Sequence, residues 1–233
     1  MKTKKLFVAI VVTMTIILGF TTCINGNGGG NVSTYPVSPA VVGNDNMGGT
    51  IIGTLWGYCA APSLISNYPG DCLLLSFTLD YDNQPSTSYL TASNIAVTQA
   101  VNQKYLNIPL VNSDTLAIMY NVDMAASPFF NGKIFLGITC KDNGADFSLT
   151  NSQEPDSTGV MDLYLTACSM SPNSSGIYQY YAFDIMQLIQ NNGSDTIDNG
   201  VNYKYIKANL NYFTGTSFQK TTNSPYLIEV FKN

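Results

Sequence analysis

From residue 49 onward, turn residues cut the chain into short apolar runs, and this rhythm constrains the fold more than any other feature. The runs are "GTIIGTLWGY", "DCLLLSFTLDY", "YLTASNIAVT", "DTLAIMYNV", "GKIFLGITC", "VMDLYLTAC", "VNYKYIKANLNYF" and "PYLIEVF". They are rich in branched and aromatic side chains and often alternate, which is the pattern of half-buried strands. In "DCLLLSFTLDY", Leu73, Leu75, Phe77, Leu79 and Tyr81 share one face, while Cys72, Ser76, Thr78 and Asp80 lie mostly on the other. Asn-Gly pairs at 131–132, 143–144, 192–193 and 199–200 supply the left-handed backbone that tight hairpins need. One piece has helical spacing, "FDIMQLIQNN", through Ile185, Leu188 and Ile189. The expected fold is all-β: an antiparallel β-sandwich, immunoglobulin-like or Greek-key, with at most one short helix. It would fill residues 49–233, with a sub-boundary near 124–130, "MAASPFF".

The N-terminal part reads differently. Lys2, Lys4 and Lys5 precede an uncharged run from Leu6 to Phe20. Such a run is too short to cross the ~30 Å core of a bilayer as a helix, so residues 1–22 read as an export signal. Residues 23–48 are dominated by Gly, Asn and Pro and read as a flexible tether. Removing the leader leaves 211 residues (233 − 22). A chain of that size buries roughly 70% of its unfolded surface and folds without a metal or disulfide.

Composition removes several function classes. The chain has neither arginine nor histidine. Nucleic-acid binding lacks its basic footprint, and a Ser-His-Asp triad, a Cys-His pair and histidine metal sites are all out of reach. Two carboxylates suffice for glycoside hydrolysis, so Asp80, Asp82, Glu154 and Glu229 are the acid-base candidates. Turn carboxylates exposed to solvent are the plainer reading of Asp80 and Asp82. Calcium needs clustered oxygens, which Asp142, Asn143 and Asp146 or Asp195, Asp198 and Asn199 offer on loops. Neither set has the spacing of a calcium loop, and Asp, Asn and Gly are what turns use anyway. No metal ligand set and no cofactor are expected.

Five cysteines make an odd count. Setting Cys23 aside leaves Cys59 with Cys72 and Cys140 with Cys168 as pairable, with buried thiols as the equal alternative. Face parity separates the second pair, because Cys140 is in step with Ile134, Leu136 and Ile138, but Cys168 with Asp162, Tyr164 and Thr166. Among the aromatics, Trp56 is the sole tryptophan, and Tyr178, Tyr180, Tyr181, Tyr203 and Tyr205 crowd two short segments. Exposed rings of this kind can stack on sugars, although tyrosine is also simply a good strand residue.

"GFTTCINGNGGGN" resembles a bacterial lipoprotein signal of the Bacteroidetes kind, with Thr21 two places before Cys23. That resemblance implies a lipid anchor on Cys23, and Phe20 and Thr22 depart from the usual small and aliphatic residues. Asp114-Thr115-Leu116, Asp156-Ser157-Thr158 and Asp195-Thr196-Ile197 are similar to the O-glycosylation signal of that phylum, which implies acceptors at Thr115, Ser157 and Thr196. From Gly70 onward, "GDCLLLSFTLDYDN" and "YYAFDIMQL" resemble segments of NigD-like lipoproteins, which end in a β-sandwich. The barrel-like N-terminal half of that family looks shortened here. The uncharged "INGNGGG" also lacks the acidic run that often follows the cysteine in surface-exposed lipoproteins.

The resulting expectation is a non-enzymatic cell-envelope protein, anchored to the outer membrane by lipid. It would bind a glycan, a peptide or an outer-membrane transporter. A filament subunit assembling by strand addition and a carboxylate-dependent glycosidase are the alternatives, and ordinary secretion is the alternative location.

Overall fold

The computed structural model describes residues 31–85, 89–108, 116–142, 144–168 and 176–232. Strands β1 (Val32–Asn44), β2 (Thr50–Thr54), β3 (Gly57–Ala60), β4 (Cys72–Asp80) and β5 (Leu90–Ala100) close into a barrel in the order β1-β2-β3-β5-β4. Closure is parallel, through Cys59↔Leu90 and Ala60↔Thr91, and the other barrel pairings are antiparallel. Val42, Ile52, Leu73, Leu75, Phe77 and Leu79 fill the interior, as the alternation of β4 predicts. "GTIIGTLWGY" is a hairpin rather than one strand. The Thr54 hydroxyl donates to the Gly57 carbonyl (2.9 Å) and accepts from the Trp56 N–H (3.1 Å), turning the chain there.

Much of the expected tether is therefore strand. β1 pairs with β4 from Val32↔Asp80 and with β2 from Ala40↔Thr54. Its prolines hid it. The register shifts between Tyr35 and Ser38, where Pro36 sits, and Pro39 pairs with β4 just before pairing with β2 begins. Proline is tolerated at bulges and where one edge is unpaired. With β1 in place, the N-terminal half is a complete barrel, not a shortened one.

The remaining strands are β6 (Asn102–Tyr105), β7 (Met119–Ala126), β8 (Lys133–Cys140), β9 (Asp146–Asn151), β10 (Val160–Cys168), β11 (Ile177–Asp184), β12 (Ser194–Asp198), β13 (Val201–Phe213), β14 (Phe218–Lys220) and β15 (Tyr226–Phe231). Helix α1 (Met186–Asn192) follows β11 and is the one α-helix among the described residues. One sheet has the order β6-β11-β8-β7, with β6 and β11 parallel. In the other, β13 pairs with β10 in parallel and with β12, β14 and β15 antiparallel, and β9 adds beyond β10. Asn199 and Gly200 both have positive φ (49° and 79°) in the β12–β13 hairpin, as their pairing in the sequence predicts.

These two sheets share one core. Ile134, Leu136, Ile138 and Phe183 meet Phe147, Leu163, Leu165, Ile206, Leu210 and Ile228. The opposite face of the first sheet is apolar as well: Phe135 and Ala182, with Phe130, pack against Val41, Cys72, Leu74 and Val101 of the barrel side. The order of layers is barrel, middle sheet, outer sheet. The chain is thus all-β and mostly antiparallel with one short helix, but it is not the simple two-sheet sandwich expected. The cause is visible in β4, whose Cys72, Leu73, Leu74 and Leu75 are all buried. A strand that is apolar on both faces needs a neighbour outside the barrel as well as a filling inside it.

The segment 124–130 ends β7 and carries a docking turn. Its 3-10 turn, Pro128–Phe130, lies on β2, where Gly53 alone leaves room: a Cβ there would stand 2.0 Å from the Phe129 carbonyl oxygen. The Ser127 hydroxyl donates to the Thr54 carbonyl across the same contact (3.4 Å).

Candidate functional site

The carboxylates singled out from the sequence do not converge. Asp80 caps its own turn, accepting from the Asp82 and Asn83 N–H groups (3.1 Å each) and from the Asn83 side chain (2.8 Å), and these bonds hold its carboxyl below the usual range. Asp82 accepts from the Asn31 N–H (2.7 Å), which ties down the start of β1. Glu154 is exposed in the turn after β9. Glu229, on β15, is the exception: burial, then the nearby Asp198 carboxylate, raise its pKa.

The calcium candidates are dispersed as well. Asp146 pairs with Lys104, Asp195 pairs with Lys232 (2.7 Å), and Asp142 is buried, with one carboxylate oxygen lacking a hydrogen-bond partner. Asn143 lies outside the described residues. Among the described residues no three His, Cys, Asp or Glu side chains gather as a metal site.

Of the two readings of the four cysteines, the structure has the buried thiols and neither bridge. Cys59 points into the barrel core and Cys72 out of it toward the middle sheet, so the barrel wall separates them. Burial pushes both thiols up to about 12. Cys140 is a thiol in the core between the sheets, its Sγ facing the Ile118 carbonyl (3.5 Å). Cys168 is buried beside Leu116, on the other face of its sheet from Leu163 and Leu165, as its parity predicts. Cys23 and Thr115 lie outside the described residues. Ser157 is exposed in the β9–β10 turn, where Asp156 accepts from the Thr158 N–H and hydroxyl (2.8 and 2.7 Å), and Thr196 is half-buried on β12.

The six aromatic candidates fall in four places. Trp56 plugs one end of the barrel, 4.6 Å from the Tyr35 ring and 6.0 Å from Phe77 (centroid distances). Tyr181 is core, packed on Phe147 at 4.7 Å. Tyr178 and Tyr180 share the opposite face of β11 with Ala182, edge to face at 5.1 Å. Tyr203 and Tyr205 are on the face of β13 opposite Ile206 and Ala208, Tyr205 in a depression with Met161, Asn192 and Lys207.

The structure adds four aromatics that the sequence did not single out. Tyr89, Tyr58, Phe129, Phe231 and Tyr203 form a continuous ribbon, with neighbouring centroids at 6.2, 5.1, 5.3 and 5.2 Å. Every member is half-buried. Tyr58 and Tyr89 come from the barrel, Phe129 from the docking turn, and Tyr203 and Phe231 from the outer sheet. Asp198 and Glu229 act electrostatically on the Tyr203 end, where burial first and these carboxylates second raise the phenol pKa. The ribbon was not legible in the sequence because its rings come from five separated segments.

No protein-family profile matches the chain, and no curated protein matches it. Solved structures do. An uncharacterized protein from Parabacteroides merdae overlays with a TM-score of 0.61 at 14% identity, covering 84% of this chain and 99% of that one. A toxin-related protein from Parabacteroides distasonis overlays at 0.51 and 12% identity, covering 86% and 94%. A NigD-like immunity protein from Bacteroides caccae overlays more loosely, at 0.44 and 13% identity, covering 83% and 93%. At such identities the first two likenesses establish a shared fold, a barrel joined to open sheets, and nothing further.

Proposed function

We propose that this chain is a lipid-anchored protein of the cell envelope that works by binding a partner rather than by catalysis. The aromatic ribbon carries the reading. Five rings half-open to solvent, contributed by the barrel, the docking turn and the outer sheet, form a surface that a glycan, an extended peptide or the loop of an outer-membrane transporter can lie along. The leader, Cys23 and the all-β body fit an exported protein held at its N terminus. Cys23 stands eight residues before Asn31, a reach of at most about 28 Å when extended. With Cys23 lipidated, the barrel would sit within that reach of the bilayer, on whichever face it emerges.

Two experiments test this. Palmitate labelling of the wild type and Cys23→Ala, with protease shaving of intact cells, should show label lost in the variant only. Glycan binding and co-purification of membrane partners should then depend on Tyr58 and Tyr203. An unlabelled wild type removes the anchor, and a protein that captures neither glycan nor envelope partner removes the binding role.

One observation favours a filament subunit as a second reading. β5 pairs with β3 only at Leu90 and Thr91, so Ser93–Ala100 have β4 on one edge alone among the described pairings. This uncharged edge is a template for an added strand. Register shifts along β4–β5 and the positive φ of Asn94 (49°) twist it, which works against pairing. A strictly monomeric protein by light scattering, with no surface fibre that contains it, would end this reading.

A further inference from the structure

A second aromatic surface lies away from the ribbon, on the part of the middle sheet near Tyr178. On its barrel-side face, Asn121, Thr139 and Tyr178 form one row across β7, β8 and β11, and Asp123, Gly137 and Tyr180 form the next. Gly137 is the centre of this patch. A Cβ there would stand 2.0 Å from the Tyr178 hydroxyl oxygen and 2.7 Å from Cζ, so the phenol lies down over the glycine instead of standing off the sheet. Tyr178 is nonetheless 46% exposed, which leaves ring surface open to solvent. Its hydroxyl donates to that of Tyr180 (3.1 Å), fixing the ring and leaving the Tyr180 proton to donate elsewhere. One strand further on, about 5 Å from β8, the Asn121 amide donates to the Asp123 carboxylate (3.0 Å), and both side chains are exposed.

We propose that this patch is a saccharide subsite, with Tyr178 as the stacking platform and Tyr180, Asn121 and Asp123 as its hydroxyl-binding rim. The inference rests on the binding role proposed above and names its ligand class. A sugar ring has an apolar C–H face that suits a phenol lying flat, and hydroxyls at its edge that suit a fixed donor beside a carboxylate and an amide. An apolar peptide side chain would leave the Asn121–Asp123 pair unused. The charge of Asp123 disfavours anionic ligands, so neutral sugars are the class.

The full chain, purified in detergent, should be titrated with maltohexaose, cellohexaose, xylohexaose and mannohexaose by calorimetry. At least one should bind. Tyr178→Ala should weaken that binding at least tenfold. Gly137→Ala should do the same with the tyrosine intact, because the added methyl lifts the ring, and the phenol tip can move without unfolding the sheet. Tyr68→Ala, an exposed tyrosine in the loop before β4, should bind as the wild type. Unchanged affinity in Gly137→Ala and Tyr178→Ala, with a folded far-UV spectrum, overturns the subsite, even where another surface retains glycan. Failure of all four sugars overturns it too, and leaves the broader binding role to the co-purification experiment.

Discussion

Gly53→Ala tests how the barrel and the sheets are joined. The new Cβ would stand 2.0 Å from the Phe129 carbonyl oxygen and 3.1 Å from the Tyr58 ring. Relief to an ordinary C···O separation near 3.3 Å moves the Pro128–Phe130 turn by about 1.3 Å. Phe130, wholly buried between barrel and middle sheet, moves with it. The Ser127 bond to the Thr54 carbonyl, already 3.4 Å, is lost. Overpacking of this kind costs about 1–3 kcal/mol. For a chain of this length that is a fall in Tm of about 2–12 °C, since each kcal/mol moves Tm by about 2–4 °C. The control is Gly43→Ala, where the added methyl meets Ile51 Cγ1 at 3.4 Å, an ordinary contact. Differential scanning calorimetry should show Gly53→Ala well below both wild type and control. A fall of under about 1 °C, or an equal fall in Gly43→Ala, would refute the account of the junction.

The remaining predictions concern titration and the core. Burial and Asp198 raise the Glu229 pKa, so the folded state holds its proton more tightly than the unfolded chain. The stability from this group is full below the unfolded pKa and lost as pH rises through the folded one, so Glu229→Gln should raise Tm at pH 7 and leave it unchanged at pH 3. A gain of equal size at both pH values would show that charge is not the cause. Asp80 and Asp195 run the other way, their carboxyls held low by Asn83 and Lys232 respectively, and their contribution fades as pH falls through the folded values. With their pKa values near 12, the buried Cys59 and Cys72 thiols should ignore Ellman's reagent at pH 8 until guanidinium is added. Rapid labelling of either in the native protein would contradict their placement. Phe183→Ala, at a fully buried site between the sheets, should cost about 3–5 kcal/mol in urea unfolding. A cost under about 1 kcal/mol would mean the core collapses onto the gap.

Strand positions were largely legible where one face is buried, because a period of two is then written in the side chains. β10 and β13 match "VMDLYLTAC" and "VNYKYIKANLNYF" residue for residue. α1 was legible from Ile185, Leu188 and Ile189. β1 was not, since two prolines and flanking small residues mimic a tether, and its strand character comes from pairing with β2 and β4. Nor was the three-layer arrangement, which depends on which face of "CLLL" meets which neighbour. The clustering of tyrosines in sequence misled in a specific way. Tyr180 and Tyr181 are adjacent, so they point to opposite faces of β11, and only one can join a surface. The tyrosine that completes the ribbon's barrel end, Tyr58, sits alone in the sequence.

Two aromatic surfaces on one chain suggest a division of labour, and the fold constrains it. The ribbon crosses the junction, so its continuity depends on the same Phe129 turn that Gly53 admits. The Tyr178 patch is built on Gly137 and on β7, β8 and β11, and touches the junction only through Tyr180, which packs against the Phe130 cluster. A variant that loosens the junction should therefore disturb the ribbon more than the patch. Gly53→Ala and Gly137→Ala are thus a matched pair: each adds one methyl beside an aromatic element, and each is aimed at one surface only. If the two surfaces act on one long ligand, both variants weaken binding of the hexasaccharide, and shortening it removes the effect of one of them. If they serve different partners, Gly53→Ala impairs capture of the envelope partner and leaves sugar affinity at the wild-type value.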